Sequence, residues 1–355
     1  MMKKKIIVAI DSFKGCLSST EANEAACRGL TDKCADLEIL QIPVSDGGEG
    51  WTEAFYAAIG GKLIVTEVSD PLMRRIKANY LQKDRMAVIE IAQASGLTLL
   101  ETAERNPLKA TTYGTGELIA DAIRKGCCEF IVGLGGSATS DAGRGMLQAL
   151  ADAFCDGNVL KINDVLKDKH FCIATDVNNP LCGPLGAAHV FAPQKGATPE
   201  MVEVLDQRAR EFARESAIAL GYDCAEVPGA GAAGGLGYAF MQYLHAERRQ
   251  GIDLLLDTIG FDRLLQNACM VITGEGSADR QTLMGKLPCG IMQRAKSQGV
   301  PTVLVAGKVA DRDTLLSAGF SQVWCINPPG IPLEVALRKE EAEKNIAVTV
   351  ARLLS

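Results

Sequence analysis

Residues 274–286 combine the residue types that phosphate chemistry needs. This segment holds the carboxylates Glu275 and Asp279, several glycines and Lys286, directly after an apolar run. Glycine-rich turns expose backbone N–H groups that bind phosphate, while carboxylates can hold a metal and a lysine can neutralise phosphate charge. Three more segments share this composition after an apolar run: residues 11–15, 45–50 and 133–145. We therefore predict that the four turns form one active-site cleft.

Residues 133–138 allow a second interpretation. They satisfy the dinucleotide-binding pattern G-x-G-x-x-A after an apparent strand. Asp141 at the start of the next helix would oppose a pyrophosphate at the same positive helix end. Residues 229–234 fit the same pattern, although Pro228 and no clear strand precede them. An NAD(P)-dependent oxidoreductase therefore stays open as an alternative, as does a non-catalytic sugar-acid binding protein.

A Walker A loop is absent from the sequence. Gly285-Lys286 would need a glycine where Arg280 stands and a serine or threonine where Leu287 stands, and Gly307-Lys308 fails similarly. The H-R-D and D-F-G elements of protein kinases are absent too. Any nucleotide must be bound in another way.

Composition narrows the class of protein. A net charge of −6 and 5% aromatic residues disfavour nucleic-acid binding. No apolar stretch has the length of a membrane helix and no secretory signal is recognisable, so we expect a soluble, cytoplasmic protein. Twelve cysteines without a C-x-x-C pair, and three scattered histidines, predict neither a disulfide framework nor a zinc site.

Strand and helix patterns alternate at both ends of the chain. Residues 5–10 form a continuous apolar run typical of a buried parallel strand, and a helix, a strand and a second helix follow up to residue 59. Residues 62–68 and 76–82 predict a hairpin, and residues 199–220 a helix. Strict alternation returns after residue 269. At 355 residues we expect two domains.

The layout predicts an α/β fold with a discontinuous domain. Residues 1–63 and 269–355 would form one doubly wound domain, and residues 64–268 an inserted mixed α/β domain. Ligands of open α/β sheets bind at the carboxyl ends of the strands. The acids at these ends, each of which could instead cap a helix, are Asp11, Asp46, Asp141, Asp176, Glu275 and Asp279.

Basic residues beside glycines are candidates for phosphate binding. Lys14, Lys195 and Lys286 each stand next to a glycine, although a solvated surface position is the alternative for Lys195. Arg74 and Arg75 could hold a carboxylate, but exposed arginines are ordinary in a turn.

Together the ordered motifs resemble the bacterial glycerate kinase family that lacks a Walker loop. The matching segments, which extend over essentially the whole chain, are residues 11–15, 46–50, 110–118, 133–139, 176–181, 193–198, 229–237 and 272–286. Ser140, Asn178 and Ser277-Ala278 depart from the residues common in the family. The resemblance implies ATP-dependent phosphorylation of D-glycerate at the 2-hydroxyl, a flavodoxin-like domain built from both termini, and a site in an interdomain cleft.

Roles for single residues follow as hypotheses under this resemblance. The expected cofactors are ATP and Mg²⁺, and the expected partners are glycerate and ATP, without nucleic acid or membrane, with a homodimer as a possible assembly. We assign catalysis to Asp176, Asp279, Lys286 and Lys14. We assign the nucleotide to Asp11, Ser12, Gly15, Gly133, Gly135, Gly136, Ser137, Gly274 and Gly276. Glycerate is assigned to Asp46, Gly47, Gly48, Asn178, Asn179, Gln281 and Lys195, and the metal to Asp46 and Glu275.

Overall fold

Helices and strands alternate along most of the chain. The computed structural model describes residues 4–13, 15–34 and 36–354. In chain order the strands are β1 (Lys4–Ile10), β2 (Leu37–Gln41), β3 (Lys62–Ser69), β4 (Arg75–Lys83), β5 (Met86–Glu90), β6 (Glu129–Gly133), β7 (His170–Ala174), β8 (Glu247–Arg249), β9 (Ala268–Ala278), β10 (Thr302–Val309) and β11 (Gln322–Cys325). The α-helices are α1 (Ser19–Lys33), α2 (Trp51–Ile59), α3 (Ala92–Ser95), α4 (Tyr113–Arg124), α5 (Arg144–Phe154), α6 (Ile162–Val165), α7 (Ala187–Phe191), α8 (Pro199–Leu220), α9 (Ala232–Leu244), α10 (Gly251–Ile259), α11 (Phe261–Leu264), α12 (Leu287–Ser297), α13 (Arg312–Ala318), α14 (Leu333–Ala336) and α15 (Lys339–Ala351). None of these helices is long and apolar enough to cross a membrane.

The chain divides into two compact units. The first unit comprises residues 1–46, 53–59 and 252–355, and the second comprises residues 47–52 and 60–251. The domain boundaries predicted from the sequence, near residues 63 and 268, stay a prediction. They differ from this division mainly in the helices α10 and α11, which those boundaries place in the inserted domain.

The first unit contains a five-stranded parallel sheet in the order β11-β10-β9-β1-β2. Residues 6–10 of β1 are fully buried, as their continuous apolar run predicts. The helix α1 begins at an N-cap, Ser18, whose side chain accepts from the backbone N–H of Glu21. It packs against α15 so closely that a Cβ on Gly29 would lie 2.2 Å from the carbonyl oxygen of Ala347. Asn23 of α1 also exchanges hydrogen bonds with the backbone of Ile10, which fixes the end of β1 against this helix.

The second unit contains a six-stranded mixed sheet in the order β3-β4-β5-β6-β7-β8. The strands β3, β4 and β5 pair antiparallel, and β5 to β8 pair parallel. The predicted hairpin is therefore confirmed, and so is the long helix α8, which Thr198 caps. The carboxyl ends of β5, β6 and β7 bring three loops to one edge of this sheet.

Two segments differ from the sequence expectation. The strand β9 continues through Ala278, because its residues 277 and 278 pair with Lys308 and Val309 of β10. Glu275 and Gly276 consequently lie on a strand rather than in a turn. The next α-helix begins only at Leu287, after a short 3-10 turn at Arg280–Leu283.

Candidate active site

A cavity of about 390 Å³ lies in the first unit, at the carboxyl ends of β1, β9, β10 and β11. We call it the first-unit cavity. Its volume falls within the range of small-molecule binding sites. It is lined by Asp11, Ser12, Phe13, Cys16, Asp46, Glu275, Gly276, Ser277, Lys286, Leu287, Gly307, Lys308, Ile326, Asn327, Leu333, Ala336, Leu337 and Ala342. Of the predicted site residues, it brings together Asp11, Ser12, Asp46, Glu275, Gly276 and Lys286.

Glu275 is a buried charged group in this cavity. Its residue is 8% exposed, and one carboxylate oxygen accepts a 2.5 Å hydrogen bond from the Thr282 hydroxyl. The Nζ of Lys286 lies 3.4 Å from the other oxygen. Burial raises the pKa of the Glu275 carboxyl, whereas the Thr282 hydrogen bond and the Lys286 charge act in the opposite direction. The result is a half-desolvated acid beside a cation, an arrangement suited to phosphate or a metal.

Asp279 and Gln281 lie just beyond the cavity lining. The Asp279 carboxylate accepts a 2.7 Å hydrogen bond from the backbone N–H of Gln281 and caps the 3-10 turn. The backbone N–H of Asp279 in turn donates to the Thr282 hydroxyl at 3.0 Å. Thr282 therefore links this cap to Glu275. Gln281 itself is exposed.

The turn after β1 supplies Asp11 and Ser12. The backbone N–H of Asp11 donates to the carbonyl of Gly274 at 2.9 Å, which joins this turn to β9. Close packing explains why residue 274 is a glycine, because a Cβ on Gly274 would lie 2.3 Å from the carbonyl oxygen of Val305. Gly15 has a φ of +74°, a left-handed conformation that glycine adopts without strain. The catalytic assignment of Lys14 lies outside the described residues.

Sequence reasoning missed the other half of the first-unit cavity. Phe13, Ile326, Leu333, Ala336 and Leu337 give it an apolar end, and Lys308 adds a second lysine at the polar end. In the sequence, Gly307-Lys308 follows an apolar run as the four singled-out turns do, so this shared pattern was a usable signal, although the structure places the pair within β10. The two leucines resembled an ordinary helix face and carried no such signal.

The glycine-rich turn after β6 belongs to the second unit. A Cβ on Gly133 would lie 2.6 Å from the carbonyl oxygen of Gly47, and one on Gly135 would lie 2.3 Å from the Cα of Gly48. The N–H of Gly135 also donates to the carbonyl of Gly47 at 2.9 Å. Close packing of the 47–48 segment therefore accounts for the first two glycines. Gly136 adopts a left-handed φ of +74°.

Lys195 is buried rather than solvated, contrary to the alternative considered from sequence. It is 2% exposed, and its Nζ donates to the Ser137 hydroxyl and to the Thr139 carbonyl, both at 2.7 Å. Burial lowers the pKa of the Lys195 ammonium to about 7, although the negative charge of Asp141 opposes this shift. The structure thus gives Lys195 a direct role in holding the loop after β6.

Asp141 and the arginine pair make structural contacts. The Asp141 carboxylate accepts from the backbone N–H groups of Thr112 at 2.9 Å and of Gly143 and Gly145 at 3.1 Å, and from the Thr112 hydroxyl at 2.8 Å. Arg74 forms ion pairs with Asp70 and Glu104, and Arg75 with Glu117. These partners saturate Asp141 and neutralise both arginines.

The loop after β7 presents polar side chains at the edge of the second sheet. The Asp176 carboxylate accepts from the N–H of Gly251 at 3.3 Å. The amide oxygen of Asn178 accepts from Arg248 at 2.7 Å, and the Asn179 amide donates to the carbonyl of Leu185 at 2.8 Å. Asp176 and Asn178 therefore both follow the carboxyl end of β7.

The dinucleotide interpretation lacks its structural context. After β6 ends at Gly133, residues 134–143 form a loop, and α5 begins only at Arg144. A dinucleotide fingerprint needs a helix that starts within the glycine-rich turn, because the helix N-terminus binds the pyrophosphate. At residues 229–234 the helix α9 begins within the segment, at Ala232, but no strand of the described chain directly precedes it.

Magnesium is the metal that the first-unit cavity would suit. The described residues contain no group of three or more histidine, cysteine or acidic side chains that could hold a metal ion. Mg²⁺ needs only one or two carboxylates when phosphates and water complete its shell. Asp46 and Glu275, which line the same cavity, satisfy that requirement by type and number.

Comparison with known proteins assigns the family. The sequence model of the glycerate kinase family matches residues 6–355. A glycerate kinase of Bacillus subtilis (strain 168) is 40% identical over 372 aligned positions, which cover 98% of this chain and 97% of that protein. A glycerate 2-kinase of Escherichia coli (strain K12) is 38% identical, with 98% of each chain covered. A crystal structure from Salmonella typhimurium LT2, assigned as glycerate kinase 2, superposes with a TM-score of 0.83 at 38% identity and covers 99% of this chain and 97% of its own.

The chain belongs to the glycerate kinase family. Its members are kinases that act on an alcohol group, so the predicted class of enzyme is confirmed. The predicted α/β class is confirmed as well, with one parallel and one mixed sheet.

Proposed function

We propose that this protein transfers the terminal phosphoryl group of ATP to the 2-hydroxyl of D-glycerate. The observation that supports this most is the first-unit cavity, whose lining combines two lysines and three carboxylates with apolar side chains of the kind a nucleotide base needs. Family membership supports the kinase activity, and the E. coli relative, a glycerate 2-kinase, favours the 2-hydroxyl.

The polar end of the cavity is proposed to hold the phosphates. Lys286 and Lys308 would neutralise phosphate oxygens, and the Ser12 hydroxyl and the Gly276 backbone N–H would donate hydrogen bonds to them. Asp46 and Glu275 would hold Mg²⁺, which supplies neutralisation of the charge that develops during transfer. Phosphoryl transfer asks the protein mainly for positioning and for such charge stabilisation.

Asp176 is the acid that we propose to accept the proton of the substrate hydroxyl. Asp279 was the other candidate; it caps the 3-10 turn after β9, whereas Asp176 follows β7 just before the proposed glycerate ligands Asn178 and Asn179. We propose that Asn178, Asn179 and the Gly47–Gly48 backbone bind glycerate. We also propose that Ser137 contacts the bound ligand and that the hydrogen bond from Lys195 holds Ser137 in place. The cleft between the two domains also stays a proposal, in which closure would exclude water and limit ATP hydrolysis.

A flavodoxin-like, doubly wound arrangement is our proposal for the first unit. Numbered within that unit, its five parallel strands have the order 2-1-3-4-5, the order of such folds. In these folds ligands bind where the strand order reverses, here between β1 and β9. A homodimer stays a proposal. A cytoplasmic location is consistent with twelve free thiols.

Product identification tests the proposed reaction. Phosphorus NMR after incubation with ATP, Mg²⁺ and D-glycerate should show a phosphomonoester on the 2-carbon. Asp176→Asn should lower turnover about 10²–10⁴-fold while ATP still raises its Tm. A product phosphorylated on the 3-carbon would contradict the regiochemistry. Stabilisation by NAD(H) but not by Mg²⁺–ATP would instead favour the oxidoreductase.

A further inference from the structure

We infer that the apolar end of the first-unit cavity binds the base of the nucleotide and does not select strongly between purines. This inference rests on the proposed function, because it assumes that the same cavity takes a nucleoside triphosphate. It goes further by naming the residues that contact the base and the specificity that they produce.

The elements that line the first-unit cavity differ in charge. Its charged side chains are Asp11, Asp46, Glu275, Lys286 and Lys308. The lining contributed by α14, α15 and the segment after β11 carries no charged side chain among the described residues. An extended ligand that has a charged group at one end and a flat apolar group at the other matches this division. A nucleoside triphosphate has that form.

Two exposed leucines border the apolar end. Leu333 is 73% exposed and Leu337 is 45% exposed, whereas the neighbouring Ile326 and Ala336 are buried. Large apolar side chains exposed together beside a cavity are typical of a ligand site. A purine lying on Phe13 and Ile326 would remove both leucines from water. We therefore assign Leu333 and Leu337 as the cover of the base.

Few groups at this end can read the edge of a purine. The only amide side chain lining it within the described chain is Asn327, and that amide is held by neighbouring residues. Its nitrogen donates to the carbonyl of Gly307 at 2.8 Å, and its oxygen accepts from Asn345 at 3.2 Å. A pocket without dedicated hydrogen-bond partners discriminates weakly between similar ligands. A pocket built with such partners can favour one ligand over its analogue by a factor of about 10⁴–10⁵ in kcat/KM.

Steady-state kinetics with several nucleotides tests the specificity. At saturating glycerate and Mg²⁺, kcat/KM for GTP and ITP should lie within about tenfold of the value for ATP. A preference for ATP greater than about 10³ would overturn the inference, since it would require a group that reads the base, such as the second N–H of Asn327.

A pair of matched variants tests the location of the base. Leu333→Ser should raise KM for ATP and for GTP together by roughly tenfold, while kcat and KM for glycerate stay unchanged. Leu316→Ser removes a 37% exposed leucine of α13 outside the cavity lining and should leave both KM values unchanged. Equal KM values for the two variants would refute the assignment.

Equilibrium binding separates this inference from the proposed function. Displacement of a fluorescent ATP analogue by ATP and by GTP measures the base site without catalysis. Comparable displacement that weakens in Leu333→Ser supports the base site even if glycerate is not phosphorylated. Absence of any nucleotide binding to the folded protein would overturn both.

Discussion

Replacing Lys286 with methionine tests the charge balance of the first-unit cavity. The variant leaves the Glu275 carboxylate largely buried without its cation, 3.4 Å away in the native protein. At this distance two unit charges attract by about 5 kcal/mol when the effective dielectric constant is about 20. Because the Lys286 side chain is 40% exposed, solvent screens much of that attraction. We expect a loss of about 2 kcal/mol in the free energy of unfolding and a fall in Tm of roughly 4–8 °C.

The same variant should lose about 10²-fold or more in turnover, as expected when a charge partner of the transition state is removed. Its stability defect should also depend on pH. Burial raises the pKa of Glu275, so the folded protein favours the protonated acid, and the stability tied to this preference is lost as pH rises through the folded pKa. Without Lys286 the ionised Glu275 carboxylate lowers the free energy of unfolding still further. The Tm difference from the native protein should therefore shrink as pH falls from neutral to mildly acidic.

Thermal unfolding over a pH series, together with coupled kinase assays, measures both effects. Lys308→Met is the matched control for stability, because Lys308 lines the same cavity and has no ion pair with a carboxylate among the described residues. Its Tm should stay within about 1–2 °C of the native value. If Lys286→Met unfolds like the native protein at every pH and retains near-native turnover, the reasoning about Glu275 is wrong.

Three further changes probe the second unit. Asp141→Ala removes the acceptor of five hydrogen bonds and should lower the free energy of unfolding by about 2–4 kcal/mol in denaturant titration. Gly135→Ala should prevent folding or destabilise the protein severely, because its Cβ would collide with Gly48. The control Gly221→Ala, where the Cβ faces open space at a φ of +81°, should lower the free energy of unfolding by only about 1 kcal/mol. In the native protein the free energy of unfolding should fall as pH falls through the alkaline range toward about 7, because the buried Lys195 amine must become charged. The slope should be at most about 1.4 kcal/mol per pH unit, and Lys195→Met should abolish it. A native slope that persists in the variant would contradict the burial argument.

Much of the fold could be predicted because local patterns determine it. The apolar run of β1 predicts a strand buried on both faces, and the hairpin of β3 and β4 follows from two apolar runs around a short turn. The helix α8 has a capping threonine and apolar residues at helical spacing. In these elements the sequence within a few residues specifies the structure.

The site was less predictable because it depends on contacts between distant residues. The strand β9 continues through Ala278 only because β10 pairs with it there, and that pairing joins residues about thirty positions apart. Lys195 stands beside a glycine, as solvated lysines often do, and its burial depends on the loop after β6. The assignments of single residues to catalysis and binding stay predictions until they are tested.

The placement of β1 between β9 and β2 has a consequence for synthesis on the ribosome. More than two hundred residues separate the end of β2 from the start of β9, which at about 5–20 residues per second corresponds to roughly 10–50 s of translation. Two parallel strands alone do not form a stable sheet, so the apolar residues of β1 become buried only after β9 has been synthesised. Residues 60–251, which are continuous, can fold during that interval. The apolar residues of β1 therefore lack their second neighbour in the sheet during all of that interval.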